Sequence, residues 1–271
     1  MQSHRESQTE SQESYRHPTP SRVEIIPSGR YYSKRPSSNL GDKTVITPAD
    51  AAAAFALPGP PLETGPVPRQ PRALRTKAHV LYSAAAVFSA HGFNGTSIQD
   101  VADHSGLTKG AVYHHFGSKE TLARAIVEEQ YRRWGMLVTE VGAENGRLIE
   151  RVREVLDRAA RALRDDLIIQ AGVRLQTEHS LAKGTLPTPF VGWMKILTEY
   201  LTEAVEAGEL RERIDPSLAA YTLVSAFFGL QHVSASLNDR DDLLERWATS
   251  SDILFFGLIR CPEHQQDQNP G

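Results

Sequence analysis

From residue 71 onward the chain is predicted to be all-α, and three observations carry that prediction. Apolar residues recur at i, i+3, i+4 and i+7, the spacing that lines one face of a helix. Ser, Thr and Asp stand just ahead of these stretches, where their side chains accept from otherwise unpaired helix amides, and Gly follows several of them. No segment shows the sustained period-two alternation with turn signals that marks a strand.

Taken in order, residues 1–70 are rich in Ser, Pro, Gln and charge and poor in large apolar side chains. They are expected to form a disordered extension, because too little apolar area is available to offset backbone ordering. Within them Ala49–Leu57 has the composition of a transient helix stopped by Pro58, Pro60 and Pro61, and is read as linker. Leu81, Ala84, Ala85 and Phe88 make the apolar face of helix one, closed by Gly92. Ser97 and Asp100 form a capping pair ahead of a short second helix that buries Ile98, Val101 and Ala102 and ends at Gly106. Thr108 caps a short third helix with Ala111, Val112 and Phe116 inward, and Gly117-Ser118 closes it and caps the next. Two short helices across a tight Gly-containing turn are helix-turn-helix punctuation. Further helices are expected at about 119–142, 147–165, 167–182, 189–208, 216–237 and 240–260, with Thr188-Pro189 and Asp215-Pro216 placing a capping residue before proline at the first helical position.

The bulk composition excludes several classes. With 30 basic and 33 acidic side chains the formal charge is -3, so any nucleic-acid binding must be local. The single cysteine, Cys261, rules out a disulfide framework and Cys-based zinc sites and fits a reducing compartment. No run of about 18 apolar residues is present, and the first residues lack the apolar core of a signal peptide, so a cytoplasmic protein without membrane contact is expected. GxGxxG, GxxxxGK and HExxH are absent. Glu178, His179 and Ser180 are neighbours that point different ways on a helix and cannot form a triad; no catalytic residue and no cofactor is assigned. His114-His115 lacks the i, i+3 or i+4 spacing of helical ligands, and no metal site is assigned.

The string FNGTSIQDVADHSGLTKGAVYHHFGSKETL, residues 93–122, resembles the DNA-binding domain of the TetR family of repressors, with the similarity running from Leu74 to Ala125. The resemblance implies an N-terminal three-helix domain with a helix-turn-helix over 71–133, a helical ligand-binding and dimerisation domain over 134–261, and a disordered tail at 262–271. On the third helix Thr108, Lys109, Gly110, Tyr113 and His114 fall on the outer face, where small residues at its start let it enter a major groove roughly 12 Å wide. Lys109 and Gly110 are the candidates for base-edge contact, while Tyr113, Thr108, Ser97 and Lys119 are placed for phosphate. Residues 72–119 carry a net charge of +3, so the basic character is local.

DLIIQAGVRLQTEHSLAKGTLPTPFVGWMKI resembles the corresponding region of the γ-butyrolactone receptor subgroup. The resemblance implies a pocket for a small diffusible signal, with Trp193 over it and Phe190 one turn earlier. Tyr131, Gln176 and Thr177 offer hydroxyl and amide partners, and a Tyr131–Gln176 pair suits furan-carboxylate relatives of the butyrolactones. Helices 216–237 and 240–260 carry more apolar surface than one buried stripe requires, so they are expected to pack against a second copy. The expected protein is a homodimeric repressor of palindromic operator DNA, released by ligand through the fourth helix and controlling antibiotic or signal biosynthesis genes. The alternatives are an efflux-type repressor with an unrelated ligand and a DNA-binding paralogue without effector. VPRQPRALRTKAHVL at Val67 resembles the usual start of such receptors, and a valine codon can initiate, so a native start near Val67 is a further expectation.

Overall fold

A computed structural model of the chain describes residues 53–55, 71–144, 146–178, 188–211 and 213–259. These lie in one unit, Lys43–Gly271. Among the described residues are the helices α1 (Pro71–His91), α2 (Ile98–Ser105), α3 (Lys109–Phe116), α4 (Lys119–Gly142), α5 (Leu148–Asp165), α6 (Leu167–Thr177), α7 (Val191–Glu206), α8 (Pro216–Asn238) and α9 (Leu243–Leu258). The expected boundary after residue 133 falls inside α4, which runs unbroken from the small N-terminal domain into the body. Residues 260–271, the segment His179-Ser180, Val67 and the N-terminal extension apart from residues 53–55 lie outside the described residues.

Packing follows the apolar stripes. α1 rests on α2, α4 and α6, while α4 in turn packs on α5 and α6. The body is completed by α7 and α9 on α5, with α8 against α7 and α9. α5 shows why: Val152, Val155, Leu156, Ala159, Ala160 and Leu163 are fully buried at helical spacing, and its outer face carries the Arg158–Glu154 pair at 2.7 Å. Arg147 gives α5 no side-chain cap. Glu209 supplies it from a distant turn, its carboxylate accepting from Leu148 N at 3.1 Å and Ile149 N at 2.9 Å.

α8 is long and apolar enough to cross a membrane by composition. In the fold it buries Leu223, Val224, Phe227 and Phe228 against its neighbours. Its other side, with α9, leaves apolar residues open: Leu237 is 73% exposed, Ile253 71% and Phe256 69%, and Leu218 and Tyr221 are exposed too. A patch of this kind on a folded chain marks an association surface.

The structure corrects two expectations. The Asp215-Pro216 start is as expected, with Asp215 Oδ1 accepting from Leu218 N at 3.0 Å, but Thr188-Pro189 does not begin a helix. α7 starts at Val191, and Phe190 precedes it at φ 69 with no side-chain cap. That left-handed backbone turns the Phe190 ring onto Phe228, centroids 4.8 Å apart, so aromatic packing overrides the proline signal. At Ala53–Phe55 the disordered-linker expectation fails as well. These residues form a helical turn with Ala54 and Phe55 buried, because one large aromatic among alanines found an apolar site in the body.

Candidate functional site

The reader face begins with punctuation. Ser97 Oγ accepts from Asp100 N at 3.2 Å while Ser97 N donates to Asp100 Oδ2 at 2.7 Å, the reciprocal capping box of α2. The hydrogen bond from the Ser97 amide holds the Asp100 carboxyl below its usual value. Gly106 at φ 66 lets the chain reverse immediately, and Thr108 Oγ1 caps α3 by accepting from Ala111 N at 3.2 Å. α3 is anchored from beneath by buried Val112 and Phe116, with the Lys77 ammonium 5.5 Å from the Phe116 ring centre. Ala111 is half-buried, whereas Thr108, Lys109, Gly110, Tyr113 and His114 form the open side. Behind them burial pushes the His115 imidazole down, so the inner member of the His pair favours its neutral form.

Ser97 is exposed at the start of α2, so capping and phosphate contact are both available to it. Lys119 sits differently from the rest. Its ammonium donates to Phe93 O at 3.0 Å and Thr96 O at 2.9 Å and lies 4.1 Å from the Phe93 ring centre. It fastens the start of α4 to the turn after α1, and a phosphate contact would use what remains of its donor capacity.

The five residues assigned to ligand come together. Tyr131 from α4, Gln176 and Thr177 from α6, Phe190 and Trp193 from the start of α7 line one cavity. Gln176 Nε2 donates to the Tyr131 hydroxyl at 2.9 Å, and burial raises the Tyr131 phenol above its usual value, so it stays a neutral donor. The Thr177 hydroxyl turns back onto its own helix, 3.1 Å from Val173 O and 3.0 Å from Arg174 O, so its proton is committed locally. Trp193 meets Trp134 edge-to-face, centroids 5.0 Å apart, and Phe228 at 6.1 Å.

Sequence reasoning missed several lining residues. Trp134 and Gln130 follow Val127 and Tyr131 on the inward stripe of α4, and a glutamine within that stripe was the readable signal. Gln130 is buried and its side-chain carbonyl has no protein partner among the described residues. It lies across Gly172 of α6, where a Cβ would come within 2.2 Å of Gln130 Oε1, so that glycine sets the α4–α6 approach. Phe228 and Gly192 also line the cavity, as does Phe55 from far upstream.

The same α6 that carries Gln176 and Thr177 grips the reader. Arg174 donates to Ser89 O at 2.8 Å and Ala90 O at 3.0 Å, unpaired carbonyls at the end of α1. Arg174 Nε also reaches Glu178 Oε1 at 2.6 Å, and Glu178 Oε2 accepts from Phe93 N at 2.8 Å. Gly92 permits this: at φ 69, a Cβ there would lie 2.2 Å from the Glu178 carboxylate. The fourth helix was the expected lever, and α6 supplies a second, shorter connection.

Residues 80–126 match the bacterial regulatory proteins of the tetR family, and residues 148–260 match the tetracyclin repressor-like C-terminal domain. The A-factor receptor protein of Streptomyces griseus is 33% identical over 175 residues, spanning 65% of this chain and 60% of that protein, less than two thirds of its length. A solved structure concerned with the molecular basis for control of antibiotic production by bacterial hormones is 46% identical, with a TM-score of 0.63 over 69% of this chain and 99% of that one. CprB from Streptomyces coelicolor, solved in complex with its biological operator sequence, is 31% identical, with a TM-score of 0.64 over 69% of this chain and 90% of that one. With its matched segments covering more than half of its length, the chain belongs to the TetR family of bacterial regulatory proteins.

Proposed function

We propose that the chain is a signal-responsive transcriptional repressor that binds palindromic operator DNA as a homodimer and is released by a small diffusible ligand of the butyrolactone or furan type. The observation that carries this reading is the double role of α6. One turn of helix presents Gln176 and Thr177 to the cavity and Arg174 and Glu178 to the reader's backbone. A ligand that displaces α6 acts on α1 and the turn before α2 without an intermediary, and by linkage DNA weakens ligand as ligand weakens DNA.

Base edges fall to Lys109 and Gly110, and phosphates to Thr108, Tyr113, Ser97 and Lys119, with His114 beside them on the DNA-facing side of α3. Tyr131 and Gln176 would orient a carbonyl, hydroxyl or carboxylate, with Thr177 as acceptor and Trp193 and Phe190 enclosing the apolar part. The exposed apolar side of α8 and α9 is the surface for the second copy, which sets half-site spacing. A similar structure concerned with control of antibiotic production by bacterial hormones and another solved with its operator sequence support control of antibiotic or signal biosynthesis genes.

Tyr131→Phe removes one hydroxyl and little volume. Operator binding should persist while release by an acyl-γ-butyrolactone or an alkylfuran carboxylic acid is lost, read in a mobility-shift titration. Release at the parental ligand concentration would remove Tyr131 and this cavity from the reading.

A further inference from the structure

We propose that Phe55 is an intramolecular occupant of the signal cavity, competing with the ligand for the same space. This rests on the cavity assignment made above. Phe55 is 5% exposed and stands edge-to-face on Trp193 at 5.3 Å and on Tyr131 at 6.1 Å, the two rings expected to hold the signal. With Phe55 in place the free space left in the cavity is about 20 Å³. That is room for about one water molecule and not for an alkyl-bearing five-membered ring. Ring and ligand therefore exclude one another.

The wall of the cavity is shaped for this segment. Gly192 lies in the first turn of α7, where any other residue would project a Cβ inward. A Cβ there would stand 2.5 Å from Ala54 O and 2.9 Å from Phe55 Cδ1, and the three nearest atoms all belong to Ala54 and Phe55. Hence Gly192 and the small Ala54 allow the backbone to approach closely enough for the ring to reach Trp193. The occupant needs little intrinsic affinity, since tethering gives it an effective concentration on the order of millimolar. Its consequence is a raised threshold: ligand binds only the fraction of molecules from which the ring has left.

Two full-length variants test the contact from opposite sides. Phe55→Ala removes the ring, and Gly192→Ala pushes the segment out while favouring the helix it sits in. Trp134, Trp193 and Trp247 are all buried, so acrylamide quenching of tryptophan fluorescence should rise in both variants as Trp193 opens, with helix content by circular dichroism equal to the parent. An acyl-γ-butyrolactone and a 2-alkylfuran-3-carboxylic acid should then bind the Phe55→Ala protein, which leaves the vacated space empty, roughly tenfold more tightly than the parent. Unchanged quenching in both variants overturns the occupant, whatever the ligand does. Increased quenching with equal ligand affinity in parent and Phe55→Ala overturns the competition. Increased quenching with neither compound bound by any of the three proteins supports the occupant and instead overturns the butyrolactone or furan reading of the cavity.

Discussion

The reader and the sensor cavity are built by opposite means. Every residue on the open side of α3 lies within a stretch shorter than two helical turns, positioned by the capping residues Thr108 and Ser118 and the glycines Gly106 and Gly117 on either side. The cavity draws on α4, α6, α7, α8 and a turn upstream of α1, so its residues are brought together only by tertiary packing. Local construction makes the reader a module that sequence punctuation can specify. Non-local construction makes the cavity depend on how these helices pack, since each wall is supplied by a different element. Between the two, Arg174 and Glu178 form a seam of charge-assisted hydrogen bonds to Ser89, Ala90 and Phe93.

The largest effect is expected where construction is most local. Lys109→Ala should cost about 1–3 kcal/mol of operator discrimination per half-site, counted twice in a homodimer, and relax sequence preference at one base-pair position. Ligand affinity measured on the free protein should stay at the parental value. Competition between operator and random DNA at fixed salt checks the first part, and calorimetry the second. A ligand affinity that moved with Lys109 would break the idea that the reader is a separate module.

Glu178→Gln acts at the seam and should have a smaller, more selective effect. The Phe93 amide keeps an acceptor, but the charge that holds Arg174 is gone. Operator and ligand should each still bind, while the coupling free energy between them, typically about 1–3 kcal/mol, falls by the share that α6 carries. Operator affinity measured with and without saturating ligand gives the coupling directly. Full coupling in the variant would return the lever to α4 alone.

What could be read in advance follows the same division. The capping box of α2, the other side-chain caps, the glycine stops and the α3 face were legible because each depends on residues within four positions, and so were the five cavity residues that motif resemblance had marked. Phe190 was legible as a residue but not as a backbone: Pro189 signals a helix start, whereas the left-handed φ at Phe190 accompanies a ring contact with Phe228 on another helix. Phe55 was invisible because its surroundings are alanine, proline and glycine, a composition that signals linker, and its partners Trp193 and Tyr131 lie far along the chain. Glu209 capping α5 and Glu178 receiving Phe93 are long-range hydrogen bonds for which no local pattern exists.

The seam has a stability counterpart, smaller again, at the other end of α6. Arg133 of α4 pairs with Asp166, which caps α6 through Ile168 N at 2.9 Å; Arg133 also reaches Glu129 at 2.9 Å and the Tyr82 hydroxyl of α1 at 3.1 Å. One guanidinium thus joins three helices, and Arg133→Met should cost about 1–2 kcal/mol at neutral pH. The pH dependence fixes the sign. Hydrogen bonds from Arg132, then from Arg133, hold the Glu129 carboxyl below its ordinary value. A carboxyl depressed in the folded state contributes stability that is present above its unfolded value and lost as pH falls through its folded value. Urea unfolding of parent and variant should therefore differ most near neutrality and converge as the pH drops below the usual carboxylate range. A gap that stayed constant into acid would mean that Arg133 acts through Tyr82, its guanidinium lying 5.4 Å from that ring centre and donating to its hydroxyl, and that pairing with carboxylates does not join α4 to α6.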